Sequence, residues 1–202
     1  MAGNSLKMYD KQGSVLRIET TINDPHMFRS LRKAQGTPNS AWVWRPMRKS
    51  VADAARRAQV SRDANHRYLE ALAVVGDATA THRVLDPITR PVQKDGRSCR
   101  ALRPVNAEDA ALFAAVLRGD YLLRGFSNSD LQAALFDRPA PGVLQARRRS
   151  AWVGYRLRLL RRHGLIHKIG RQRLYRVTPK GHQTMTLSLL LRSSNATLLQ
   201  AA

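Results

Sequence analysis

The sequence predicts a mainly α-helical fold with a small β component. It is expected as an N-terminal β-hairpin plus helical region over residues 1–76, a linker over 77–105, and a C-terminal domain of helices and one hairpin over 106–202. Three observations predict it. Apolar and polar residues alternate from Asn4 to Ile22, the period of a half-buried strand. Apolar residues recur at helical spacing from Ser50 almost to Gly76 and again from Asn106 to His163. After Gly164 the period falls back to two for two short runs, and Thr178-Pro179 then restarts a helix. With 202 residues, 43% of them hydrophobic, the chain can bury one sizeable core or two small ones.

Taken in order, Ser5 to Tyr9 is a first strand, Asp10-Lys11-Gln12-Gly13 a turn, and Ser14 to Ile22 a second strand rich in β-branched residues. Leu16, Ile18, Thr20 and Ile22 share its core-like face. Two strands alone are not stable, so the hairpin has to lean on a later segment or on one preceding the chain. Asp24-Pro25 opens a brief helix through Arg32, Gly36 to Ser40 is a loop, and Trp42, Trp44 and Pro46 form an apolar patch whose tryptophans are expected to pack. Ser50 is an N-cap for the helical stretch that follows. Ser61 offers a second cap, so one long helix and two helices joined by a turn both fit. Between Gly76 and Val105 repeated prolines and Lys94-Asp95-Gly96 mark the linker, with room for one short strand.

In the C-terminal domain Asn106 caps a helix from Ala107 to Leu117, Tyr121-Leu122-Leu123 is a short strand, and Ser127 or Ser129 caps Asp130 to Phe136. Asp137 to Gly142 is a turn. The next helix, Ala146 to His163, contains no proline and no acid; Val153, Leu157 and Leu160 mark its core side. The opposite face collects Arg148, Ala151, Tyr155, Arg158 and Arg162. Gly164 supplies a C-cap, and Leu165 to Ile169 and Arg173 to Val177 form a hairpin about Gly170-Arg171-Gln172. The leucine-bearing tail from Gln183 to Ala202 is a packing helix or a dimerisation helix, the latter implying a homodimer.

The run LRLLRRHGLIHKIGRQRLYRVTPKG resembles the winged helix-turn-helix domains of bacterial regulators of the MarR and ArsR kind, and the resemblance covers Asn106 to the C-terminus. It implies a recognition helix and a two-stranded wing. The DNA-binding candidates are Arg147, Arg148, Arg149, Tyr155, Arg158 and Arg162 on the helix and Lys168, Arg171 and Arg173 on the wing. Charge points the same way. Thirty-five Lys and Arg face fourteen Asp and Glu, and from Arg138 onward there are fourteen Lys or Arg and no carboxylate. A segment without internal counter-charges calls for a polyanion, with DNA favoured over RNA. No apolar run approaches the roughly 18 to 20 residues of a spanning helix, so no membrane partner is expected and the chain is read as cytoplasmic. Cys99 is the single cysteine, which excludes an intrachain disulfide.

Tyr9-Asp10-Lys11, the turn and Leu16-Arg17-Ile18-Glu19 resemble a strand pair of the rolling-circle replication initiators of plasmids and phages, whose sheet bears a metal-dependent DNA-nicking site. The resemblance implies Tyr9, Lys11, Arg17 and Glu19 as sheet or site residues, with Tyr9 and Glu19 the catalytic candidates. The chain departs from that pattern. It has no histidine-hydrophobe-histidine pair, and its six histidines lack ligand spacing, so no metal and no cofactor are expected. The favoured reading is that Arg17 and Glu19 pair with neighbours across a solvated sheet face. The same stretch resembles the N-terminal part of longer bacterial proteins, which makes the chain a shortened relative. No phosphate-cradling glycine motif or serine-histidine-aspartate grouping occurs. Three functions are carried forward: a double-stranded-DNA-binding protein, a transcriptional regulator or mobile-element protein; a relative of the nicking enzymes; and a basic scaffold for RNA or protein.

Overall fold

The computed structural model describes residues 3–13, 15–33, 41–73, 79–94, 96–170 and 172–194. The architecture is mixed α/β, about 51% helical with 21% strand, and the strand content lies in small antiparallel hairpins. The chain divides into two compact units. One comprises Met1–Leu69 with Leu122–Arg124, the other Glu70–Tyr121 with Gly125–Ala202.

In the first unit β1 (Asn4–Lys11) and β2 (Val15–Ile22) pair antiparallel, with Asn4 opposite Ile22 and Lys11 opposite Val15. Ile18, Thr20 and Ile22 are half-buried, whereas Leu16, near the turn, is 52% exposed. What the hairpin leans on is a later helix. Asn65 of α1 (Ala54–Ala73) accepts a 2.6 Å hydrogen bond from the Thr20 hydroxyl and donates to the Ile18 carbonyl. This α1 is one continuous helix, entered through a single turn at Val51–Asp53; Val60 and Ala64 both bury their side chains on the same side, across the Ser61 position.

The brief helix expected from Asp24 through Arg32 stops after one turn, Pro25–Met27, capped by the Asp24 carboxylate. Phe28 is drawn into a small core with Met47 and Val60. Beyond it, Arg29–Arg32 forms β3, paired with β4 (Val43–Pro46). Arg29-Ser30-Leu31-Arg32 alternates at period two: Ser30 points inward while Leu31 lies outward opposite Trp44. The expectation that the tryptophans pack is therefore overturned, with Trp42 at 63% and Trp44 at 50% exposure. Asp53 anchors this region. Its buried carboxylate accepts the Arg48 N–H at 2.8 Å and lies 3.5 Å from the Arg32 guanidinium. The Arg48 N–H and the Ser30 hydroxyl hold it below the ordinary carboxylate value.

The second unit begins its core earlier than expected. The stretch read as a linker supplies α2 (Thr81–Leu85), a turn at Asp86–Ile88, and the hairpin β5 (Val92–Lys94) and β6 (Arg97–Cys99). Val84, Leu85, Ile88 and Leu102 are buried with Phe113, Phe126, Leu157 and Leu160 in one cluster. Val84, Leu85 and Ile88 do stand at helical spacing, but over so short a run, with Pro87 inside it, that the stretch reads as a linker. There follow α3 (Ala107–Val116), capped by Asn106, the short α4 (Tyr121–Arg124), and α5 (Asn128–Leu135), where Ser127 and Asp130 form a capping box. Tyr121 to Leu123 is thus a helical turn rather than a strand. The extra strand contact falls at Phe126, which exchanges backbone hydrogen bonds of 3.0 and 2.8 Å with Tyr175. Gly125 permits it: φ is +80°, and a Cβ there would run into the Tyr175 carbonyl.

The longest C-terminal helix, α6, spans Val143–Arg162, starting three residues before the expected Ala146 because nothing in Val143-Leu144-Gln145 breaks it. It ends as predicted at Gly164, φ +75°, where Leu165 N–H bonds Leu160 C=O and Gly164 N–H bonds Arg161 C=O, the paired bonds of a Schellman cap. β7 (Ile166–Lys168) and β8 (Tyr175–Val177) then pair. Thr178 caps α7 (Pro179–Ser193), accepting from Gly181 N–H at 2.9 Å. Met185, Thr184 and Ser188 of α7 are buried in this unit, with Leu187, Leu189 and Leu191 against its core, while Leu198 and Leu199 lie outside the described residues.

Leu157→Ala would open a cavity beside Val153 and Leu160 and is expected to lower stability by about 2 to 5 kcal/mol, measured by urea unfolding. A second prediction concerns pH. His163 is buried, its Nε2 is 3.0 Å from the Arg100 carbonyl, and burial pushes its pKa below the ordinary 6.5, with the Lys180 and Arg100 charges acting in the same direction and Asp109 opposing. Burial lowers His182 likewise, against the nearby Glu70. Below pH 6.5 the unfolded chain then binds protons that the folded unit refuses. Unfolding free energy should be flat above that pH and fall as the solution is acidified beneath it. His163→Gln should reduce the slope.

Candidate nucleic-acid interface

The helix α6 positions most of the candidate side chains, and its two sides differ. Val153, Leu157, Leu159 and Leu160 are buried, and Arg156 lies among them. Arg156 forms an ion pair with Glu108 of α3 and stacks 4.5 Å from the Trp152 ring; burial, and after it the Arg100 charge, lowers its pKa. It is a packing arginine.

Among the candidates on the other side the structure separates two groups. Arg162 donates from Nη1 to the carbonyls of Lys94 and Arg97 at 3.0 and 2.7 Å, the two residues that flank the β5–β6 turn. Tyr155, 39% exposed, stands beside Arg100, which follows β6. Lys94, Arg97 and Arg100 therefore lie along the Tyr155 and Arg162 edge of the helix. The opposite edge meets α5, where Asn128 donates to the Ser150 carbonyl at 3.0 Å. Between these edges Arg147, Ala151, Arg158 and Arg161 lie within about 80° of arc, all exposed, with Arg148 exposed beside them. The guanidinium groups of Arg147, Arg148, Arg158 and Arg161 make no hydrogen bond or ion pair with any described residue. Arg149 is half-buried; it donates to the Arg138 carbonyl at 2.6 Å and stacks 4.5 Å from the Phe136 ring.

Lys168 of β7 and Arg173 in the following loop are exposed, while Arg171 lies outside the described residues. Sequence reasoning missed Arg161, which it used only as last-turn charge, and the exposed Lys94 and Arg97 of the hairpin held by Arg162. The Asp95-Gly96 pair between two short runs was the signal for that hairpin.

The catalytic candidates fall in the first unit. Tyr9 faces Arg17 across the β1–β2 ladder and Glu19 faces Lys7, all on one exposed face. Glu19 is ion-paired at 2.6 Å to Arg17, its neighbour two residues back on the same strand, rather than to a partner across the sheet as expected. Among the described residues no three His, Cys, Asp or Glu side chains gather as a metal site would need, and no helix is long and apolar enough to cross a membrane. Comparisons with protein-family models, with curated proteins and with solved structures find no match to this chain.

The grip of Arg162 is testable apart from any ligand. Arg162→Ala should cost about 1 kcal/mol and speed amide hydrogen exchange over the β5–β6 hairpin, measured by mass spectrometry, while exchange in the middle of α6 stays at the parent rate.

Proposed function

We propose that the second unit is a winged helix-turn-helix domain of the MarR and ArsR kind and that the protein binds double-stranded DNA with it. The order α3, the Phe126 bridge, α5, α6, β7–β8 and α7 supports the reading. In it α6 is the recognition helix and β7–β8 the wing.

The observation that carries the proposal is the set Arg147, Arg148, Arg158 and Arg161: exposed, without partners among the described residues, and on a chain that holds no carboxylate after Asp137. Unneutralised guanidinium groups on one helix face repel one another, and a phosphate backbone relieves that repulsion. Arginine also presents the bidentate fork that reads guanine O6 and N7 in the major groove, which is wide enough to admit a helix. In this arrangement Arg158 reads a base edge, while Lys168 and Arg173 on the wing meet phosphates. Lys94 and Arg97, held on the helix by Arg162, add charge beside the same face.

Binding should weaken on the order of a thousandfold between 50 and 200 mM salt if six or more phosphates are met. Selection from random duplex DNA supplies the target. Against it Arg158→Ala should cost roughly 1 to 3 kcal/mol and relax preference at one position, whereas Lys168→Ala should weaken all sequences alike. Parent-like binding by both Arg158→Ala and Arg147→Ala, at unchanged thermal stability, would falsify the assignment of α6 as the reading element.

A further inference from the structure

The outward face of the β3–β4 hairpin in the first unit carries two exposed tryptophans. Leu31 and Trp44 are cross-strand partners on it, Trp42 stands just before β4 and two residues from Trp44, Arg29 precedes Leu31 by two on β3, and Lys33 follows the end of that strand. Both indoles are half or more exposed, and each has a cation against its ring: the Lys33 ammonium 5.8 Å from the Trp42 centroid and the Arg56 guanidinium 5.5 Å from that of Trp44. From Pro25 to Arg62 the chain carries nine Lys or Arg and one carboxylate, Asp53, which is buried and already shared between Arg48 and Arg32.

We propose that this face is a stacking platform for unpaired bases of a single-stranded nucleic acid. The partner has to be anionic, because the only carboxylate of the region is internal. It also has to offer flat π-surfaces, because what projects from the sheet is two indoles rather than a continuous apolar strip. Arg29 and Lys33 alternate with Leu31, which interrupts any surface that an apolar helix or acyl chains would bury. The spacing sharpens the assignment. Residues two apart on a strand stand about 6.8 Å apart, twice the roughly 3.4 Å per nucleotide of a duplex strand. Two neighbouring bases drawn out of their stack match that interval, and bases held in a helix do not. Each base lies on an indole, and the cation beside that ring meets the adjoining phosphate. This site is separate from the α6 surface and stands or falls without it.

The test uses the full chain carrying Trp152→Phe, so that fluorescence reports the two hairpin indoles. A short oligothymidylate, and in a parallel arm the matching oligouridylate, should quench emission saturably, the two arms showing whether the sugar is read. Trp44→Ala and Trp42→Ala should each weaken oligonucleotide binding by about 5- to 150-fold, Trp44→Phe should recover most of the loss, and duplex binding should stay at the parent level. Circular dichroism checks that the exposed substitutions leave the fold intact. Three results would overturn the proposal: absence of quenching, parent-like oligonucleotide affinity in both alanine variants, or loss of oligonucleotide binding in Arg158→Ala in step with duplex binding. Anionic vesicles that displace the oligothymidylate from the indoles would also overturn it, by making the face a lipid-surface contact.

Discussion

The carboxylate of Asp109 holds the second unit in register. It is 1% exposed and accepts both terminal nitrogens of Arg100, at 2.6 and 3.0 Å, together with the Arg103 N–H at 2.8 Å. A bidentate, charge-assisted fork of this kind fixes direction as well as distance. It ties the chain leaving β6 to the first turn of α3, and the hydrogen bond to Asp109, ahead of every other influence, raises the Arg100 pKa above its already high ordinary value. The Arg100 carbonyl in turn meets His163 at the end of α6. One buried carboxylate therefore links α3, the β5–β6 hairpin and the C-terminus of α6. Lys94, Arg97 and Arg100 are thereby held along the edge of α6 that carries Tyr155 and Arg162.

Scarcity of acid explains why so few contacts carry so much. With thirty-five Lys and Arg against fourteen Asp and Glu, most cations have no carboxylate to pair with. The folded chain satisfies several of them with backbone carbonyls instead: Arg162 at Lys94 and Arg97, Arg149 at Arg138, Arg192 at Val105. Others lie over aromatic rings, as Arg56 does at Trp44 and Arg149 at Phe136. A carbonyl or a ring stabilises a guanidinium without neutralising it, so each of these arginines still contributes its full charge to the surface field. The protein thereby organises its cations while remaining strongly basic.

Much of the second unit was legible because local chemistry decides it. Asn106, Ser127, Thr178-Pro179 and Gly164 mark helix ends whose orphan backbone groups need those particular residues, and Val153, Leu157 and Leu160 lie on one side by helical period alone. Arg156 was not read, although it falls within the same arc as Leu160, because a charged residue there declares itself only when Glu108, 48 positions away, is seen to meet it. The strand β3 was not legible, and β5 and β6 had only the Asp95-Gly96 turn between them to mark them. Three or four residues are too few to show a period, and in β3 the charges of Arg29 and Arg32 hide the inward Ser30. The candidate face of α6 shifted for a similar reason. A helical wheel gives the arc on which Arg162 lies, but not the hairpin, more than sixty residues earlier, that covers that part of the arc.

The two exposed basic surfaces differ in what accompanies the charge, and that difference has a physical consequence. On α6 the outward residues are arginines with Ala151 between them, and the aromatic Tyr155 is drawn to the covered edge beside Arg100. On β3–β4 the outward residues are tryptophans, with cations laid against their rings. Guanidinium forks on a rigid rod suit acceptors at fixed positions, such as base edges and phosphates of a duplex, because the geometry of both partners is set before they meet. Indoles on a two-stranded sheet suit a ligand whose own stacking has been given up, since only then is a second π-face open to them. Charge alone would attract both forms of nucleic acid to either surface. On the two proposed readings, the rings and the forks would give each surface its preference.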